Sequence, residues 1–174
     1  MYSKFLINAG KFGIYCGLIL IVFTAIIYIF DVNTYSIAFG LISFALTFGV
    51  LIIFMFKGTS ECRDQFLNKS ITYWQSLVSL FVIGIIGLLL SDFFNIALNE
   101  YIDPNYADTQ LLKFEKFMNK SNVPENMRDK IIEEAKIKRS PEKQLYSAII
   151  FKPLLSLILS LIFAFFVRKN PKNQ

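Results

Sequence analysis

The chain reads as an all-α integral membrane protein: an antiparallel bundle of four transmembrane helices with a helical extramembrane connection between the third and fourth. Charge spacing is the first observation behind this. No charged residue falls between Lys11 and Asp31, between Asp31 and Lys57, or between Lys69 and Asp92, and only Lys152 interrupts the run from Lys143 to Arg168. The second is length, since each gap approaches the roughly 20 residues that cross about 30 Å of hydrocarbon. Composition is the third: 55% of the 174 residues are hydrophobic, 19 are Phe and only 18% are charged, which fits lipid rather than water as the solvent. The whole chain is expected to form one membrane domain, with no room for a second large one.

The elements follow in order. Residues 1–11 form a short lead with Lys4 and Lys11 at headgroup level, and span one runs over about 12–30. No small-residue cleavage site follows Phe30, so this span is expected to stay as an anchor. The turn from Asp31 to Tyr35 is so short that span two, about 36–56, must run back beside span one. A charged connection, Lys57 to Lys69, leads to Tyr73-Trp74, an aromatic belt where span three, about 72–95, begins. Pro104 stops it.

The polar stretch 103–143 carries helix signals: Leu111, Phe114 and Met118 recur at helical spacing behind a cap at Asp108 or Thr109. A second start is read at Asn122 with Pro124 and Glu125, followed by Met127, Ile131 and Ala135 on one face, and a third at Ser140-Pro141. From there the helix leads into span four, about 145–167, with Lys152 in its entering turns and Pro153 as a kink point.

Lys4, Lys11, Lys57, Arg63, Lys69, Arg168, Lys169 and Lys172 flank one set of span ends while the first turn has no cation, which favours cytoplasmic termini. Arg128, Lys130, Lys136, Lys138, Arg139 and Lys143 of the long connection weigh the other way. The net charge of +5 does not point to nucleic acid, because the basic residues alternate with acids instead of forming a phosphate-tracking stripe.

Two features stand out as candidate sites. Small residues recur every fourth position: Ala9, Gly13 and Gly17, then Ala45 and Gly49, Gly87 and Ser91, and Ser156, Ser160 and Ala164. Such stripes let helix backbones approach in lipid, and Gly13 and Gly17 form the leading packing seam, within the bundle or between two copies. Charges near hydrocarbon seek partners, and antiparallel threading brings Lys152 to the same membrane face as Asp92 and Asp31, so a Lys152–Asp92 ion pair is expected. Cys16 and Cys62 have unlike surroundings and are expected to be reduced. There is no His, and no nucleophile elbow, phosphate loop or metal-spaced Cys cluster occurs, so no catalytic residue, metal site or cofactor is assigned.

Four spans, the segment Tyr101-Ile102-Asp103-Pro104, the connection motif Val123-Pro124-Glu125-Asn126-Met127 and the closing Leu161-Ile162-Phe163-Ala164 before Arg168-Lys169 together resemble domain of unknown function family 4199. That resemblance covers essentially the whole chain and implies a small multi-pass protein of the Bacteroidota inner membrane. It implies no activity. The expected function is a non-enzymatic scaffold or accessory subunit of the cell envelope, in contact with membrane lipids and another envelope membrane protein, or a homo-oligomer. The alternative is a small dimeric membrane transporter.

Overall fold

The computed structural model describes residues 2–121, 124–138 and 140–169. Asn122 with its expected cap, Val123 of the connection motif, Arg139 and the tail cation Lys172 lie outside the described residues. Among the described residues six α-helices follow one another: α1 Tyr2–Ile29, α2 Ile37–Phe66, α3 Tyr73–Ala97, α4 Tyr106–Lys120, α5 Glu125–Lys138 and α6 Pro141–Val167. A π-helical turn, Leu98–Ile102, continues α3. Among the described residues there is no strand, and one isolated bridge joins Ile71 to Lys169.

Four segments are long and apolar enough to cross a membrane: Lys4–Ile29, Ile37–Phe66, Tyr73–Ile102 and Glu142–Val167. They do not form a globular interior. Only 6% of the apolar window of α2 is buried, and Ile37, Leu41, Ile42 and Phe44 are each at least 60% exposed. A continuous outer surface of this kind goes far beyond the apolar patches of water-soluble monomers.

The helices are longer than the apolar runs. α1 begins ahead of residue 12, α2 passes residue 56 by ten residues to reach Phe66, and helical backbone continues from α3 past Asn95 to Ile102. The stretch after Lys57 contains no Pro, and its Gly58, Thr59 and Cys62 are buried, so tertiary packing carries the helix through the expected connection. Cys62 is therefore an interior thiol: it accepts from Asn8 Nδ2 at 3.5 Å and donates to the Phe5 carbonyl at 3.6 Å. The helix ends at Phe66, and just beyond it Asn68 and Lys69, with φ angles of 49° and 61°, leave the helical path.

α3 is the centre, packed against both α1 and α6, while α2 leans on α1 and α3. The close approach of α1 and α3 is made by glycine. A Cβ on Gly13 would stand 2.8 Å from Ile86 Cβ, one on Gly17 2.8 Å from Leu90 Cβ, and Gly87 faces back onto Cys16. The Gly13–Gly17 seam is thus filled by α3 of the same chain. On α6, Ser156, Ser160 and Ala164 are fully buried, and Ser156 Oγ donates to the Phe81 carbonyl at 3.1 Å. The Ala45–Gly49 stripe behaves differently. Ala45 is exposed, and no atom lies within 4 Å of where a Gly49 side chain would begin.

Phe12, Cys16, Leu51, Met55, Leu80 and Ile83 form the core. At that end the chain is further tied by the Ile71–Lys169 bridge, with N···O distances of 2.9 and 3.0 Å. Toward the other end the core stops, and no residue of 21–29, 37–50 or 89–97 is buried.

Candidate functional site: a polar cavity between the helices

Where the core stops, a cavity of about 350 Å³ lies between α1, α2, α3, α4 and α6. Phe39, Ser43 and Thr47 line it from α2, spaced by four and hence on one helix face. The same spacing on α3 brings Ser91 and Asn95 to the wall, and the π-helical turn adds Asn99. Thr24 contributes from α1. These polar groups are settled within their own helices: Thr24 Oγ1 donates to the Leu20 carbonyl at 3.1 Å, Asn95 Nδ2 to the Ser91 carbonyl at 3.0 Å and Asn99 Nδ2 to the Asn95 carbonyl at 2.9 Å. Amides used in this way keep their oxygens as acceptors.

The π-helical turn sets where α4 can go. The Asp103 N–H donates to the Leu98 carbonyl five residues back at 2.8 Å, so one extra residue is held in the turn before Pro104 ends it. α4 then starts at Tyr106, ahead of the expected cap at Asp108 or Thr109. Asp103 makes this start, accepting the Asn105 N–H on Oδ1 at 3.1 Å and the Tyr106 N–H on its carbonyl at 3.0 Å.

α4 covers one side of the cavity and is clasped to the turn between α1 and α2. Gln110 is 1% exposed; its Oε1 accepts from Thr34 N at 3.3 Å and Thr34 Oγ1 at 3.1 Å, and its Nε2 donates to Asp31 Oδ1 at 3.5 Å. Lys113 Nζ pairs with Asp31 Oδ1 at 2.5 Å. Rings reinforce the clasp, with Phe114 stacked on Tyr35 at 4.3 Å and Tyr106 edge-on to Tyr28 at 5.1 Å.

Asp92 and Lys152 stand on the cavity wall, Nζ to Oδ1 3.3 Å, with side chains 21% and 31% exposed respectively. Among the described residues they are the only charged ones in its lining. Both also line a second cavity of about 160 Å³, together with Asn95, Gln144 and Ser147. The helical backbone continues ten residues beyond Asp92, about 15 Å along the axis. Asp31, the other carboxylate weighed as a partner for Lys152, is engaged by Lys113 instead. Gly13 and Gly17 take no part in the cavity and belong to the packed half.

Sequence reading singled out Asp92 and Lys152 but missed Ser43, Thr47, Asn95, Asn99 and Gln110. A signal was present for four of them: Ser43 and Thr47 on one span, and Asn95 and Asn99 following Ser91 on another, repeat polar groups at intervals of four within apolar runs. Nothing local marked Gln110, whose burial depends on a turn 76 residues away.

An all-helical fold among the described residues, with four helices long and apolar enough to cross a membrane and a polar cavity between them, defines a class, the small helical proteins with four candidate membrane spans. Within that class, the chain belongs to the family described as protein of unknown function DUF4199, which it matches over residues 11–169. Neither a curated protein nor a solved structure matches it.

Proposed function

We propose that this is a non-enzymatic protein of the bacterial inner membrane, with four spans threaded antiparallel, that binds a small polar ligand at one membrane face. The cavity of about 350 Å³ carries this reading, being of the size and mixed lining typical of small-molecule sites. A polar wall between apolar spans is costly unless it is used. The absence of His supports a binding role over a catalytic one, as does the mutual engagement of the only two charged lining residues. Lys69 and Lys169 act on Asp64 at the packed end, and this gathering of cations supports cytoplasmic termini with the cavity facing away from the cytoplasm.

The test is native mass spectrometry of the gently extracted chain. Wild-type protein should carry a non-covalent adduct that Ser43→Trp, which fills the cavity, releases without loss of melting temperature. A bare wild-type chain would overturn the reading.

A scaffold or accessory role toward another envelope protein is the second reading, favoured by α5, on which Met127 and Ile137 are more than half exposed. Stoichiometric co-purification of such a protein, lost in Met127→Glu, would support it. The dimeric transporter gains a polar cavity, but Leu51, Met55, Leu80 and Ile83 fill the interior beyond it, and this conformation has no path through.

A further inference from the structure

We propose that the ligand is a zwitterion bearing a primary ammonium and one anionic group, the chemistry of a glycerophosphoethanolamine head, and that it binds by exchanging partners with the Asp92–Lys152 pair. This rests on the cavity being a binding site and adds what it selects.

Charge balance is the first argument. Among the described residues, the linings of the two cavities contain one carboxylate and one ammonium and no other charged group. A ligand of single net charge could engage one of them only by leaving the other unpaired in partly buried surroundings, which is strongly unfavourable. A zwitterion offers each a new partner, ammonium to Asp92 and anion to Lys152, so the site stays neutral.

Position is the second. Asp92, Asn95 and Lys152 line both cavities, so the pair stands as a partition between the larger cavity and the smaller one at α3 and α6. A ligand that opens the pair can reach both spaces. Lys152 precedes Pro153, which has no N–H for the Ile149 carbonyl, and this loosens the helix beside the lysine. Ile149, Ile150 and Phe151 around it are outward-facing and at least 45% exposed, so the smaller cavity is bordered by apolar surface where lipid would lie.

The third argument selects the kind of ammonium. A primary ammonium has three N–H donors, and beside the Asp92 carboxylate the wall supplies the Asn95 and Asn99 amide oxygens as acceptors, each amide being oriented by one N–H on a backbone carbonyl. A quaternary ammonium has no N–H to give them and is recognised by aromatic enclosure instead. For the anionic group, Ser43 and Thr47 add hydroxyl donors to the Lys152 ammonium.

The full chain, reconstituted in nanodiscs of phosphatidylcholine and phosphatidylglycerol with or without phosphatidylethanolamine, should retain phosphatidylethanolamine at least tenfold over either other lipid in native mass spectrometry. The doubly neutral variant Asp92→Asn/Lys152→Gln should melt as wild type does and lose that preference, which a purely structural ion pair would not produce. Soluble glycerophosphoethanolamine titrated into detergent-purified protein separates the sources. Binding there without lipid retention assigns a soluble zwitterion, and lipid retention without it assigns the membrane lipid. Three results would overturn the proposal: phosphatidylglycerol or phosphatidylcholine held as well as phosphatidylethanolamine, an unchanged preference in the doubly neutral variant, or equal retention by Ser43→Trp, which would mean annular lipid only. An adduct of another chemistry that Ser43→Trp displaces would sink this assignment and leave the binding site standing.

Discussion

Gly58 and Gly49 sit on the same helix, α2, and meet opposite surroundings. A Cβ on Gly58 would come within 2.7 Å of both Phe12 Cγ and Ile83 Cδ1, whereas one on Gly49 would meet nothing within 4 Å. The two halves of the molecule differ in the same way. In one, α1, α2, α3 and α6 press together on glycines and serines; in the other the same helices leave a gap lined by hydroxyls, amides and an ion pair. Apolar content does not separate the halves, since α2 is apolar along both. In lipid, solvent and side chain are equally oily, so burial by itself drives little association and the fit of small residues across an interface decides where helices meet. Gly13, Gly17 and Gly87 provide that fit on α1 and α3. Phe23, Ile27 and Phe39 do not, and there the helices stand apart around the cavity.

The sharpest way to break this contrast is a matched pair of substitutions. Gly17→Leu should destabilise the protein by about 3 kcal/mol, because Leu90 and the Gly87 carbonyl occupy the space the side chain needs. Gly49→Leu should not destabilise it, since no neighbour meets the new side chain and glycine is the poorer helix former by about 1 kcal/mol. Thermal unfolding in one detergent reads both, and similar losses would mean the halves do not differ as described. A smaller effect is expected at the ion pair. Lys152→Met alone should cost about 1–2 kcal/mol, less than the loss of a fully buried partner because both side chains retain some exposure, and adding Asp92→Asn should recover most of it. Additive losses would show that the pair is not coupled. The smallest effect on global stability, about 1 kcal/mol, is expected from Gln110→Ala, which removes the hydrogen bonds between α4 and the first turn. Its signature is local: Thr47→Cys, facing the cavity, should react with a water-soluble maleimide several-fold faster when combined with Gln110→Ala, while the buried native Cys16 and Cys62 stay silent. An unchanged rate would show that α4 does not restrict access.

The four long helices were legible in the sequence because each charge-poor run is long enough to be one apolar helix of membrane-crossing length. The seam at Gly13 and Gly17 was legible for a related reason, since a residue without a side chain in an apolar run marks where a neighbour comes close. Helix ends were less so. Lys57 to Phe66 carries the charges of a connection, yet tertiary contacts at Gly58, Thr59 and Cys62 keep it helical. Ala45 and Gly49 show the converse, a stripe with the right spacing and no neighbour to receive it. The cavity was hidden because it is a gap between five helices, and a gap leaves its trace only in polar groups recurring on faces that lipid would otherwise wet. Asp92 and Lys152 were visible as charges, but their place as a partition between two cavities depends on how α3 and α6 meet.

The π-helical turn at Leu98–Ile102 works as a spacer in angle more than in length. Were the same five residues wound as ordinary α-helix with none removed, everything that follows would swing by roughly 100°, the angle of the one residue that the wider turn absorbs. Tyr106 and Gln110 would then point away from Tyr28 and Thr34, much as a door rehung a quarter-turn round its post no longer meets its frame.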